Sequence, residues 1–527
     1  MAMTEATISG DPQIQRMMSK QLRQKAQEFL SSRKKANNLE EIISQWDESN
    51  VSYILAVEMI FMEVLRRGDM YLEQTINLTI SEPKPEIQYI MWLKSGYSEV
   101  WEKLLSLIEN GKFEIQQQAL STCFKLMGEE GKSPIEPVGK LSYYFPLHRL
   151  KPLLRKIVSP DRDNTLLISR HLEINDYKDS LYFTWRSLPQ LTPKFQPKEN
   201  FMKNLLALID KIPLPNDNDK KQEYDNDDDK ILCGPQNVCG GFVWDQSSAK
   251  RLLNKVWSCI MQWELSPKIH KQLLIVLLER VIQHLEKPVL LTDFLMNSLD
   301  CDGTISLLAL QGVFILVTKH NLEYPNIFKK LYSMFEPEIF HTKYKARLFY
   351  LADKFLSSTH LPESLVAAFA KRLGRLTLVA PPEDILVILL FIGNLMIRHP
   401  GLKRLIDHPI GGGVMINDNP GIGDPFLMDE CDPLLSNAMF SSLWEIRALE
   451  NHVLPNVSTA SRFIRNPLSS TEYDMYSILD KTGGQLFDKE IKKRVKDIML
   501  TFERPNSMEL PKGERLLQYW KFTTTLR

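Results

Sequence analysis

The sequence predicts an all-α fold, and three observations carry that reading. Apolar residues recur at helical spacing along most of the chain, no series of alternating strand patterns accompanies them, and prolines suited to helix starts return at a nearly constant step. The 527 residues carry 65 Lys and Arg against 65 Asp and Glu, with 43% hydrophobic and 25% charged residues. These are the proportions of a folded chain several domains long, and they exclude fibrous and mostly disordered classes. A formal net charge of zero also excludes capture of nucleic acid or an anionic membrane by bulk charge, so any such role has to be local.

Taken in order, Val51 to Leu65 reads as a helix, and Ile115, Ala119, Leu120, Cys123, Phe124 and Met127 mark another. Ala249, Leu252, Leu253, Val256, Trp257, Ile260 and Met261 step i, i+3, i+4, i+7, i+8, i+11 and i+12 along one face. Ile269, Leu273, Leu274, Leu277, Leu278, Val281 and Ile282 repeat the stripe, and Ser266-Pro267 between them supplies an N-cap and a first-turn proline. The two stripes predict an αα-hairpin. Pro288, Pro325, Pro362 and Pro400 then follow at steps of 37, 37 and 38, with Pro267 and Pro382 marking further helix starts. That step falls in the range of about 34–47 residues of tetratricopeptide, HEAT and armadillo arrays. The tetratricopeptide consensus is missing, so the expected architecture is an irregular HEAT- or armadillo-like α-solenoid of stacked helix pairs. The longest apolar run, Ile385 to Ile397, is broken by Gly393 and Asn394 and is shorter than the about 20 residues of a membrane span. It predicts a buried helix, and no membrane is expected.

Two stretches interrupt the helical text. Asn216 to Lys230 holds seven acids and three lysines without an apolar stripe, the composition of a solvated, disordered linker. Lys230 stands where a calcium loop starting at Asp225 needs glycine, so that motif fails. Gly411 to about Pro433 is glycine-rich, but Asp424-Pro425 replaces the Gly-Lys-Ser/Thr of a phosphate loop. The expected division is therefore helical repeats over 1–212, an acidic linker over 213–245, a second helical repeat domain over 246–455, and an extension with a basic segment over 456–527.

No catalytic scaffold is legible. H-E-x-x-H, G-x-S-x-G, Walker A and kinase-type motifs are missing, the ten histidines are dispersed, and no two of the six cysteines form a C-x-x-C pair. Neither a metal nor an organic cofactor is expected. Scattered cysteines in so long a chain fit a reducing compartment, and the polar, acidic N-terminal stretch lacks the pattern of a secretory signal. The surface offers candidates for partners instead. Leu365, Phe369, Leu373 and Leu376 form an apolar stripe, with Lys371, Arg372 and Arg375 on the other side of the same helix. Lys492, Lys493, Arg494 and Lys496 form a short basic cluster of the kind read as a nuclear localisation or nucleic-acid patch. Both sets are candidate contacts for a protein partner or for a nucleic acid.

The stretch from Ala346 to Trp444 carries a resemblance. Its blocks Leu356-Ser357-Ser358-Thr359-His360-Leu361-Pro362 and Leu365 to Leu373 resemble the signature of the nucleolar CCAAT-binding-factor-like family. His320 to Pro325, Asp424-Pro425-Phe426, Asp432-Pro433 and Ser441 to Glu445 resemble one branch of that family. The resemblance implies a non-enzymatic nucleolar factor of small-subunit assembly. It implies a heterodimer with nucleolar protein fourteen inside the small-subunit processome, with pre-rRNA met directly or indirectly. A direct RNA-binding protein using its basic patches, and a helical-repeat nuclear transport adaptor, are the alternatives. Within the signature, Ser358 or Thr359 is expected to cap the helix begun by Pro362, with His360 shaping the connection. Asp432 or Ser436 is expected to cap the helix of Trp444, whose ring is expected to pack between repeats.

Overall fold

The computed structural model describes residues 12–72, 85–136, 143–171, 176–214, 231–233, 242–301, 303–320, 324, 326–407, 424–479 and 481–497. Among these residues there are helices and no strands. The chain forms two compact units, Met1–Tyr324 and Pro325–Arg527.

The first unit runs through α1 (Pro12–Ser31), α2 (Asn37–Ser44), α3 (Val51–Arg67), α4 (Pro85–Asn110), α5 (Phe113–Lys132), α6 (Leu147–Ile157) and α7 (Thr165–His171). It continues with α8 (Lys178–Leu191), α9 (Glu199–Lys211), α10 (Gln246–Ile260), α11 (Pro267–Val276), α12 (Thr292–Leu299) and α13 (Thr304–His320). Local signals set the ends. Asn50 accepts the Ser52 N–H at 2.9 Å to start α3, Gly68 at φ 71° stops it, and Asp245 accepts from Ser247 and Ser248 to start α10. Helices two apart then stack on one another. α1, α3, α5, α7, α9, α11 and α13 pack in succession as one layer, and α2, α4, α6, α8 and α10 as the other. This is the two-layer arrangement of an α-solenoid, in which each helix buries its stripe against the next repeat. The predicted hairpin changes accordingly: α10 and α11 have the predicted buried faces, but α10 packs chiefly on α8, and α11 on α13 and α9.

The acidic segment does not separate two bodies. α8 packs on α10 and α9 on α11, so the stack runs across it. Residues 215–230 lie outside the described residues, while the chain on either side is anchored to the same unit: Leu214 is buried, and so are Leu232 and Cys233. Those two enter a slot on α5. A Cβ at Gly128 would come within 2.8 Å of the Leu232 side chain, and one at Gly131 would collide with Cys233. Asp179 at the start of α8, itself buried, accepts the Leu232 and Cys233 N–H groups at 2.9 Å each and the Tyr143 hydroxyl at 2.5 Å. Burial first, and the Asp179 carboxylate second, push the Cys233 thiol well above its ordinary pKa.

The second unit holds α14 (Ile327–Ser333), α15 (Lys345–Phe355), α16 (Glu363–Leu376), α17 (Pro382–Arg398), α18 (Trp444–Ala448), α19 (Pro455–Ser461), α20 (Tyr476–Leu479) and α21 (Gly483–Asp497). The proline step has a structural counterpart. The interval from Pro288 holds α12 and α13, the next holds α14 and α15, and that from Pro362 holds α16 and α17; Pro325 itself lies outside the described residues. Pro288 and Pro400 each begin a 3₁₀ turn. α17 is buried over most of its length, as its apolar run predicts. No helix among the described residues is long and apolar enough to cross a membrane.

Candidate functional site

α16 is the centre of the site, and its environment differs from the one its sequence suggests. The apolar stripe Leu365, Phe369, Leu373 and Leu376 is buried, but so is the basic side, with Lys371 at 0% exposure and Arg372 at 8%. The expectation of an outward basic face formed by Lys371, Arg372 and Arg375 is therefore corrected. The cause is the segment 424–445, which lies over that side of α16 and supplies its counter-charges. Asp424 and Glu445 stand 49 to 74 residues away from their basic partners in sequence, beyond the reach of any helical periodicity.

Lys371 Nζ donates to the Ser442 carbonyl and to Glu445 Oε1, both at 2.6 Å, and pairs with Asp424 Oδ2 at 2.8 Å. Arg375 pairs through Nη2 with Asp424 Oδ2 at 2.7 Å, and its Nε lies 2.9 Å from Glu445 Oε1 without aligning as a hydrogen bond. Ser441 Oγ donates to Asp424 Oδ1, and Trp444 Nε1 donates to Asp424 Oδ2 at 3.0 Å. The Trp444 ring closes the cluster, 5.5 Å from Lys371 Nζ and 4.8 Å from the Arg375 guanidinium carbon. With 42% of its surface exposed, this ring covers the cations and is not packed between repeats, which corrects that expectation. Arg372 turns the other way. It donates to the carbonyls of Phe335 at 2.8 Å and Met428 at 3.0 Å, over the Tyr332 ring.

The two carboxylates are driven apart electrostatically. Burial works to raise both. At Asp424 the hydrogen bonds from Lys371, Ser441 and Trp444 outweigh it and hold the group well below the usual carboxylate range. At Glu445 burial prevails over the attraction of Lys371 and the pKa is raised. Such a cluster fixes the segment above it, because removing either sign would leave a desolvated charge unpaired.

The capping expectations are corrected as well. Pro362 is itself the N-cap of α16, which has no side-chain cap hydrogen bond, and Ser358, Thr359 and His360 lie exposed in the preceding turn. Asp432 caps the 3₁₀ turn Pro433–Leu435 by accepting the Leu434 N–H at 3.0 Å, Ser436 donates to the Pro433 carbonyl, and the helix of Trp444 has no side-chain cap.

A second attachment was missed altogether. Gly393 and Asn394, read as interruptions of an apolar run, form a seat for residues 472–476. A Cβ at Gly393 would come within 2.9 Å of the Tyr473 ring. The Asn394 side chain donates to the Tyr473 carbonyl at 2.9 Å and accepts its N–H at 2.7 Å. Arg398 joins Asp353 at 2.7 Å to Glu472 at 2.6 Å, and Tyr476 donates to Asp353 at 2.5 Å. A polar pair inside an otherwise apolar helix was the available signal, since a buried amide needs partners.

Lys492 and Lys493 are exposed on α21; Arg494 and Lys496 belong to that helix, and their side chains lie outside the described residues. No group of three metal-ligating side chains occurs among the described residues.

The comparisons with known proteins follow this geometry. The CBF/Mak21 family model matches residues 306–461, which span α16, α17 and the clamping segment. The model described as nucleolar complex protein 4-like, TPR repeats, matches residues 13–196 in the first unit. The chain is 36% identical to nucleolar complex protein 4 homolog B of Xenopus laevis, over 90% of each chain.

The chain belongs to the nucleolar complex protein 4 family.

It is also 33% identical to the Homo sapiens homolog, over 88% of this chain and 90% of that one, and 29% identical to nucleolar complex protein 4 of Saccharomyces cerevisiae, over 88% of each. Membership places the protein in the nucleolus, with a role in ribosome biogenesis. The all-α solenoid is borne out; the matched model describes its repeats as tetratricopeptide, where the sequence favoured HEAT-like ones. Neither matched family is an enzyme family.

Proposed function

We propose that this member of the nucleolar complex protein 4 family is a non-enzymatic scaffold of small-subunit assembly. It works inside the small-subunit processome as a heterodimer with a member of the nucleolar protein fourteen family. The observation that supports this reading best is the outer side of the clamp. Leu427, Leu434, Leu435, Phe440 and Trp444 are all exposed between residues 427 and 444, a density of large apolar side chains that marks a protein-docking surface. The charge cluster beneath holds that surface in shape before any partner arrives, which lowers the ordering cost of binding.

Direct RNA binding through α16 has less support, because Lys371 and Arg372 are buried and their charges are engaged within the protein. A transport adaptor rests on the architecture alone.

Tagged full-length protein carrying Leu435→Asp and Phe440→Asp tests the proposal. Wild type should co-purify with the partner and with small-subunit precursor RNA, and the variant should lose both together. If wild type brings down neither, or if the variant retains both, the proposal fails. If the variant loses the partner and keeps the RNA with a steep salt dependence, direct RNA binding replaces it.

A further inference from the structure

A groove of about 400 Å³ runs between α17, the start of α19 and α21. Leu386, Val457, Leu486, Phe487 and Ile491 line it, with Val453 beside them. Phe487 is 62% exposed and Val453 91%, so large apolar surface in a concave site faces water, where burial would stabilise it. Two carboxylates, Glu383 and Glu490, contribute to its lining, and Glu383 reaches Lys345 Nζ at 3.4 Å.

An occupant with complementary chemistry lies in the same chain. Residues 498–527 follow α21 and lie outside the described residues. They include Gly513-Glu514-Arg515-Leu516-Leu517-Gln518-Tyr519-Trp520-Lys521-Phe522, in which Leu516, Leu517 and Trp520 fall at i, i+1 and i+4, a spacing that shares one helix face. Lys512, Arg515 and Lys521 accompany them. The reach suffices. Phe487 lies ten residues before Asp497, about 15 Å back along α21. Residues 498–512 could span roughly 50 Å if extended, three times that distance.

We propose that residues 513–522 dock in this groove, with Leu516, Leu517 and Trp520 against its apolar lining and Arg515 and Lys521 toward Glu383 and Glu490. The segment completes the second unit in cis and covers a groove built jointly by the family region 306–461 and by α21 beyond it. Nothing in this depends on the identity of the nucleolar partner.

Hydrogen exchange on the full chain is the test. Wild type should protect the backbone amides of Leu454, Asn456, Val457 and 486–491. Leu517→Asp with Trp520→Asp should speed their exchange by about ten-fold or more while leaving α16 unchanged, since only the groove loses its cover. Arg515→Glu should act in the same direction more weakly, and adding Glu490→Lys should restore protection. Three results would each overturn the proposal. One is equal exchange in wild type and the segment variant. Another is a concentration-dependent dimer that Phe487→Asp dissolves and the segment variant does not, which assigns the groove to a second copy. The last is protection that arises only when a second protein is added.

Discussion

The first unit and the second each fasten a stretch of chain that emerges from a polar or glycine-rich interruption, and they do so by opposite physical means. In the first, Leu232 and Cys233 enter a slot defined by missing atoms: Gly128 and Gly131 leave room, and Asp179 holds these two residues by their backbone N–H groups. In the second, the segment from Asp424 to Glu445 is fastened by charge, with Lys371 and Arg375 between two carboxylates under a tryptophan. The difference is one of tolerance. A slot accepts changes in the identity of the docked side chains more readily than one added methyl on its wall. A buried ion cluster accepts modest changes of shape but no loss of a charge.

The largest effect should come from unbalancing the cluster. Lys371→Met removes the fully buried cation that Asp424 and Glu445 share, leaving only the partly exposed Arg375 between them, and should cost about 3–5 kcal/mol of unfolding free energy, measured by denaturant titration of the second unit's transition. If the loss is under 1 kcal/mol, the cluster is relaxed by water and does not hold the clamp.

Next comes the slot. Gly131→Ala puts a Cβ onto Cys233 and should cost about 1–3 kcal/mol. It should also expose the Cys233 thiol, buried in the wild type, to alkylation that mass spectrometry can assign to that site. Continued protection of Cys233 would mean that the slot yields where the comparison says it cannot.

The two carboxylates sharpen the contrast through pH. Asp424, whose pKa falls on folding from an ordinary 3.8, contributes stability that is present above that value and lost as pH drops through its folded pKa. Glu445 has the opposite sign. Its pKa rises on folding from 4.5, so stability falls as pH climbs from 4.5 through the folded value, and the penalty persists above it. Denaturation midpoints followed from acid to neutral pH should therefore lose their acid limb in Asp424→Asn and their decline above 4.5 in Glu445→Gln. At neutral pH Asp424→Asn should be the more damaging of the two.

The smallest effect is expected at the rim. Glu472→Gln removes a half-exposed partner of Arg398 and should cost no more than about 1 kcal/mol by thermal melt, because Asp353 still pairs with the same guanidinium.

Helices were legible wherever a stripe of apolar residues repeated within a single element, as at Ala249 to Ile260 or Ile385 to Ile397. The pairing of α10 with α8, across the acidic segment, was not, because helical periodicity reports which face is buried and nothing about what buries it. The same limit explains Lys371. A lysine at i+2 from Phe369 reads as solvated unless its counter-charges are known, and Asp424 and Glu445 lie in segments with no periodicity of their own. Trp444 and Asp424 were visible as parts of the family signature, yet their contact with α16 is tertiary. Gly393 and Asn394 are a different case. Their polarity inside a buried helix was in view, and hydrogen-bond accounting alone would have demanded a partner segment for Asn394.

That last pair bears on where the chain can be cut. The CBF/Mak21 match closes at residue 461, while the strand of contacts seated on Gly393, Asn394 and Arg398 comes from residues 472–476. A fragment trimmed to the edge of the matched region would keep the seat and discard what sits in it. Asn394 would lose both its donor and its acceptor, Arg398 would keep Asp353 alone, and the flank of α17 would meet water. Such a fragment should be expressed as a sticky, poorly soluble polypeptide, and one extended through Leu479 should not.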